Sequence, residues 1–158
     1  MNVLIVVESC FGNTAKVADA VAAGLRSRGA TVTVVDAASA PVPVGFDLVC
    51  VGAPTHNLGL PTPRSRAAAV ERGGRAPASG VAEWLDAQGS LAGVRVAAFD
   101  TVVRGAFSGS AAKRIVQRLR RLRADVAGRE SFVVAGSPAA LADGELARAR
   151  AWGVALAS

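Results

Sequence analysis

Short apolar runs recur along this chain with helix-patterned stretches between them, and that alternation admits few folds. Val3–Val7, Leu48–Val51, Val94–Phe99 and Ser131–Ala135 read as strands, and Thr31–Val35 alternates polar and apolar as a half-exposed edge strand does. Between the first two strands, a helix from about Thr14 to Arg28 carries Val17, Val21 and Leu25 on one stripe and ends at Gly29, a natural residue beyond a helix C-cap. A last helix, from about Asp143, carries Leu146, Ala149, Trp152 and Leu156. Strands and helices in this order build an α/β, three-layer sandwich around a parallel sheet, and five strands fit the doubly wound order 2-1-3-4-5. With 158 residues, 51% of them hydrophobic, one domain over residues 1–158 has core enough.

In that topology ligands lie outside the carboxyl ends of the strands, at the switch point between the first and third. This selects three loops: Ser9 to Thr14, Ala53 to Thr62, and Asp100 to Ser110. In the first, a buried strand runs through Glu8-Ser9-Cys10-Phe11-Gly12-Asn13-Thr14 into a helix. A helix start presents unpartnered N–H groups and the positive end of the macrodipole, so an anion docks there. Gly12 lets the backbone come close, and Ser9, Asn13 and Thr14 offer hydroxyl and amide groups to phosphate oxygens. The loop is not a P-loop, which needs Lys where Asn13 stands, nor a dinucleotide fingerprint, since Gly12 is its only glycine. A phospho-receiver would need paired acids after the first strand and an Asp ending the third, where Glu8 alone and Gly52-Ala53 are found. A strand-to-helix turn with an ordinary N-cap is the other reading of the segment.

The N-terminal apolar run is about six residues long and lacks a basic leader, so neither a signal peptide nor a membrane span is expected, and a cytoplasmic protein is the default. Cys50 reads as a small core residue. Cys10 sits near a helix N-terminus, which lowers a thiol pKa, yet reads as loop filler rather than a catalytic group. The net charge is +6, and six basic residues fall within Lys113 to Arg123, interleaved with Ile115, Val116, Leu119 and Leu122. That pattern gives a core-facing stripe and a solvated arginine face. Its functional reading is an acidic partner; no base-stacking aromatic is interleaved as nucleic-acid binding would want. Pro61 to Gly80 reads as a short helix inside a long connection, with Arg64 and Arg66 either guarding a pocket mouth or lying on plain surface.

Ser9 to Thr14, following a first strand and ending Gly12-Asn13-Thr14, resembles the FMN-phosphate loop of the flavodoxin family, in the variant found in small single-domain flavodoxin-like proteins. The resemblance extends over the whole chain in strand and helix order. It implies a flavodoxin-like fold and an FMN cofactor, its phosphate held by Ser9, Cys10, Phe11, Gly12, Asn13 and Thr14. The second loop, with Pro54, Thr55, His56, Asn57 and Leu58, would border the isoalloxazine ring, and the third, with Asp100, Thr101, Val102 and Arg104, would meet its pyrimidine edge. Many flavodoxins stack the ring between Trp and Tyr. This chain has no tyrosine, and Trp84 and Trp152 lie in helical stretches away from the loops, leaving His56, Leu58, Leu60 and Phe107 as ring partners. Electron-carrying flavodoxins are typically acidic, another departure. Three functions stay open: FMN-based electron transfer with a redox partner protein or small-molecule acceptor, an FMN-dependent NAD(P)H quinone or nitro reductase, and a cofactor-free interaction module presenting its basic helix.

Overall fold

The computed structural model describes residues 1–105 and 107–158. In chain order its elements are β1 (Asn2–Val7), α1 (Asn13–Arg26), β2 (Thr31–Asp36), β3 (Leu48–Pro54), α2 (Pro63–Glu71), α3 (Val81–Asp86), β4 (Arg95–Val103), α4 (Ala111–Arg121), β5 (Asp125–Ala135), β6 (Ala140–Leu141) and α5 (Glu145–Leu156), with a 3-10 turn at Ala37–Ser39. The sheet order is β2-β1-β3-β4-β5-β6. The first five strands run parallel in the expected order 2-1-3-4-5. The sixth, β6, pairs antiparallel with β5 and was not expected. It has two residues, too few to show a period, and a turn over residues 136–139 brings it back onto β5. β5 also starts at Asp125, six residues before the apolar run: its first half, Asp125–Glu130, alternates exposed and half-buried positions, and register to β4 rather than hydrophobicity holds it in the sheet.

Successive strand residues feed opposite faces. Val3, Ile5, Leu48, Cys50, Ala97, Phe99 and Phe132 meet α1 and α5 through Val17, Val21, Leu25, Ala149 and Leu156. Leu4, Val6, Val49, Val51, Val96 and Ala98 meet α3 and α4 through Val81, Trp84, Leu85, Ile115, Val116 and Leu119. With both faces covered, β3 and all of β1 beyond the exposed Asn2 are apolar, as parallel central strands are. Trp84 and Trp152 anchor opposite layers; the latter packs edge-on against Phe99 and Phe132, with ring centroids 6.2 Å away in each case.

The basic run lies on α4, where Ile115, Val116 and Leu119 are buried and the arginines face out. Arg118 pairs with Asp86 at 2.9 Å, so part of that face is used inside the fold. At the far edge Arg148 binds Glu145 and Glu130, both at 2.9 Å, and covers the Phe132 ring at 4.5 Å. Among the described residues, no helix is long and apolar enough to cross a membrane.

Candidate phosphate loop and switch-point site

The three loops do converge. The Thr14 hydroxyl lies 2.8 Å from that of Thr101, joining the start of α1 to β4, and Thr55 N–H donates to the Thr101 carbonyl at 2.9 Å, joining the end of β3 to the same residue. Ala106, in the third loop, lies outside the described residues.

In the first loop Gly12 takes φ +90, a left-handed conformation that only glycine enters without strain, and caps α1. Ser9 Oγ accepts from Gly12 N–H at 3.1 Å and Ala15 N–H at 3.3 Å, which bends the loop around its own hydroxyl. Asn13 Nδ2 donates to the Ala139 carbonyl at 3.0 Å, and the buried Thr14 hydroxyl is taken up by Thr101. The side-chain groups expected to reach phosphate are thus engaged within the protein. Left over are backbone donors: the N–H groups of Ser9, Cys10, Phe11, Asn13 and Thr14 have no acceptor among the described residues. A row of unpartnered N–H groups at a helix start is the donor set a phosphate monoester needs.

Cys10 is 3% exposed, and its thiol pKa is raised by burial, then by Glu8, with Arg66 opposing. This reverses the lowering expected beside a helix N-terminus: desolvation outweighs the dipole, and the group stays a neutral thiol. Cys50, wholly buried, is pushed up to about 12.

The second loop is a tight hairpin in which His56 and Gly59 exchange both backbone bonds at 2.9 Å. Asn57 at φ 46 and Leu58 at φ 70 occupy its two central positions, as a type I′ turn requires. Leucine there costs roughly 1–2 kcal/mol, and its side chain is left 55% exposed at the site. Pro54 ends β3, and Thr55 Oγ1 accepts from Ala111 N–H at 3.0 Å. His56 Nδ1 lies 2.9 Å from Ser65 Oγ, which ties the loop to α2; burial lowers the ring's pKa and keeps it neutral.

The third loop begins later than expected. Asp100, Thr101 and Val102 belong to β4, which runs to Val103, because β5 pairs with β4 as far as Val134. Asp100 is fully buried, and its Oδ2 accepts from Thr55 Oγ1, Ser110 Oγ and Ala112 N–H at 3.1, 2.6 and 2.9 Å, capping α4 and locking the second loop to it. Its Oδ1 is buried without a partner among the described residues. Ser110 caps α4, its Oγ accepting from Lys113 N–H at 3.1 Å. Arg104 and Phe107 are exposed at the rim, the latter at 88%. Gly109 packs directly on Leu58: a Cβ there would lie 2.3 Å from the Leu58 Cα.

Arg66 is not at a pocket mouth. It is 2% exposed and holds two acids: its Nε donates to Glu8 Oε1 at 2.6 Å and its Nη2 to Glu83 Oε2 at 2.7 Å. Glu8 also accepts from Val81 N–H at 2.9 Å, and Glu83 from Gly80 N–H at 2.9 Å. The cluster pins α2 and the start of α3 beneath the phosphate loop. Arg64, on the same helix, is exposed. Sequence spacing gives no sign of this cluster, because its members stand 58 and 17 residues apart.

The Flavodoxin family model matches residues 5–152, from the middle of β1 to α5. The chain belongs to the Flavodoxin family. Flavodoxin 1 from Bacillus cereus, in its oxidised state, superposes with a TM-score of 0.72 at 18% identity, covering 99% of this chain and 97% of that one. A flavodoxin from the domain Archaea gives 0.70 at 18% identity, covering 99% and 96%. Two-electron reduced Megasphaera elsdenii flavodoxin gives 0.68 at 24%, covering 98% of each chain. No curated protein matches the sequence. At these identities the superpositions speak for the flavodoxin fold, and the loop and switch-point geometry must carry the function.

Glu83 and Glu145 contribute to the response to acid. Hydrogen bonds from Arg66 hold Glu83 well below its ordinary 4.5, at about 2, and Arg148 lowers Glu145 likewise. Carboxylates depressed by folding contribute stability that is complete above their ordinary value and lost as pH falls through the folded one. Stability should therefore hold from about pH 7 to 5 and fall from about 4.5 toward 2. Thermal melts across that range check this, and Glu83→Gln should make the fall shallower.

Proposed function

We propose that the chain binds FMN at the three converged loops and serves in electron transfer. The observation that carries this reading is the row of unpartnered N–H groups from Ser9 to Thr14 at the start of α1. Membership of the Flavodoxin family supports it, as do structural neighbours described in oxidised and two-electron reduced states. Bound there, the flavin supplies the one- and two-electron chemistry.

The residues around it bind and orient. The first-loop N–H groups hold the phosphate, while Ser9 keeps them pointed outward. Leu58 offers an apolar surface at the ring, and Arg104 stands at its rim. Asp100 and Thr55 fix the distance between the second loop and α4. No tyrosine or tryptophan reaches the second or third loop to stack on the ring, and stacking contributes about 0.5–1.5 kcal/mol beyond buried area. The phosphate therefore supplies a larger share of the affinity than in an aromatic-lined site.

Titration of the purified protein with FMN and with riboflavin, followed by quenching of flavin fluorescence, tests this. FMN should bind at least about tenfold more tightly, and Ser9→Ala should weaken FMN by about tenfold while leaving riboflavin unchanged. Equal affinities would remove the phosphate assignment, and no quenching by either would remove the reading.

A further inference from the structure

Three helices start from the loops of the site, and none of them carries an acid in its first turn: α1 has Lys16 there, α2 has Arg64 and the buried Arg66, and α4 has Lys113 and Arg114. The positive end of a helix macrodipole favours carboxylates and disfavours cations, so this placement works against the helices. Composition does not account for it, because α3 and α5 carry Glu83 and Glu145 in their first turns. Lys16, Arg64, Lys113 and Arg114 are all exposed, as is Arg104 on the third loop, and none of the five forms an ion pair among the described residues. The second and third loops, Thr55 to Thr62 and Arg104 to Ser110, contain no acid. Asp36 is exposed beside the first loop, on a cleft to which neither of the other two contributes.

These cations border an apolar centre. Leu58 on the second loop, Val103 at the end of β4 and Phe107 on the third loop each expose more than half of their surface. The Leu58-Gly59 turn joins centre to border: Gly109 packs on Leu58, and the Arg114 stem lies against Gly59, where an added Cβ would be 3.6 Å from its Cγ. Exposed aliphatic and aromatic side chains bordered by charge are the make-up of a protein–protein interface, whereas a single-stranded nucleic acid wants cations tracking a groove. A border of one sign attracts and orients a face of the opposite sign and repels its own.

We propose that the face formed by the second and third loops docks a partner protein whose own docking surface is acidic. Its identity as a redox partner rests on the electron-transfer reading above, while docking itself needs no bound flavin. The probes are a plant-type two-iron ferredoxin, as an acidic one-electron carrier, and cytochrome c, as a basic one, with binding measured by calorimetry on flavin-free and FMN-incubated protein. The ferredoxin should bind and cytochrome c should not, and the affinity should fall as salt screens the exposed charges. Arg64→Glu/Lys113→Glu should weaken the ferredoxin at least about tenfold, yet leave the melting temperature unchanged or higher, because each new acid stands at a helix N-terminus. Arg28→Glu/Arg120→Glu makes the same change in net charge beyond the end of α1 and in the last turn of α4, and should weaken it no more than about twofold. An equal loss in the two double variants would overturn the proposal, reducing the effect to net charge. Equal binding of both carriers, binding of neither, or tighter binding of a single-stranded oligonucleotide than of the ferredoxin would overturn it as well. Docking with the stated variant pattern but without FMN binding would uphold the face and remove the flavin reading.

Discussion

Arg66→Met is expected to cost about 3–5 kcal/mol of stability, because it leaves Glu8 fully buried with the Val81 N–H as its remaining donor. Removing one partner of a buried pair strands a charge whose desolvation was offset by the other. The same reasoning says the pair adds little over an apolar replacement of like volume. The double variant Glu8→Leu/Arg66→Met should therefore recover most of the loss, since Glu83 keeps access to water with 38% of its side chain exposed. Urea unfolding of the three proteins measures both effects. A single variant within about 1 kcal/mol of wild type would mean that the cluster is solvated in solution. Because Glu8 immediately precedes Ser9, local unfolding in this variant should also abolish the flavin binding proposed above before the sheet melts.

Gly24→Ala should destabilise the protein by about 3 kcal/mol, lowering the melting temperature by about 10 °C. Intrinsic propensity argues the opposite, since alanine is about 1 kcal/mol better than glycine inside a helix. Packing decides the sign. A Cβ at Gly24 would lie 2.1 Å from the Arg150 carbonyl oxygen, and one at Gly153 would lie 2.3 Å from that of Val21, so α1 and α5 touch backbone to backbone. Backbone cannot rotate aside as a side chain can, and the helices must part along their contact. Gly89→Ala, where an added Cβ meets nothing within 4 Å, is the control and should stay within about 0.5 kcal/mol of wild type. Stabilisation by Gly24→Ala would show that the two helices do not approach this closely.

The order of strands and helices was legible from residue patterns. β1, β3 and the core of β4 are apolar runs because both faces are covered, and α1 shows its stripe because one side meets the sheet. Less legible was whatever depended on pairing. The first half of β5 is held by β4 through register despite its polar alternation, and β6 is two residues brought in by a turn. The third loop starts later than residue type indicates for the same reason: Asp100 and Thr101 look like loop residues by type, yet they continue β4.

At the site, the sequence by itself determined a set of backbone donors at a helix start. A strand entering a helix through Gly12, with short polar residues on either side, sets out unpaired N–H groups by local geometry alone. Tertiary structure decided which side chains remain free beside them. Thr14 and Asn13 are taken by Thr101 and Ala139, distant residues that no local spacing announces. Arg66, on the surface by composition, is drawn inward because Glu8 and Glu83 meet there, whereas Arg75, of the same type, stays exposed with no side-chain partner among the described residues. Local backbone chemistry follows from neighbours in sequence. The state of a charged or polar side chain follows from which partner the fold brings within about 3 Å, and that is known only once the chain has closed on itself.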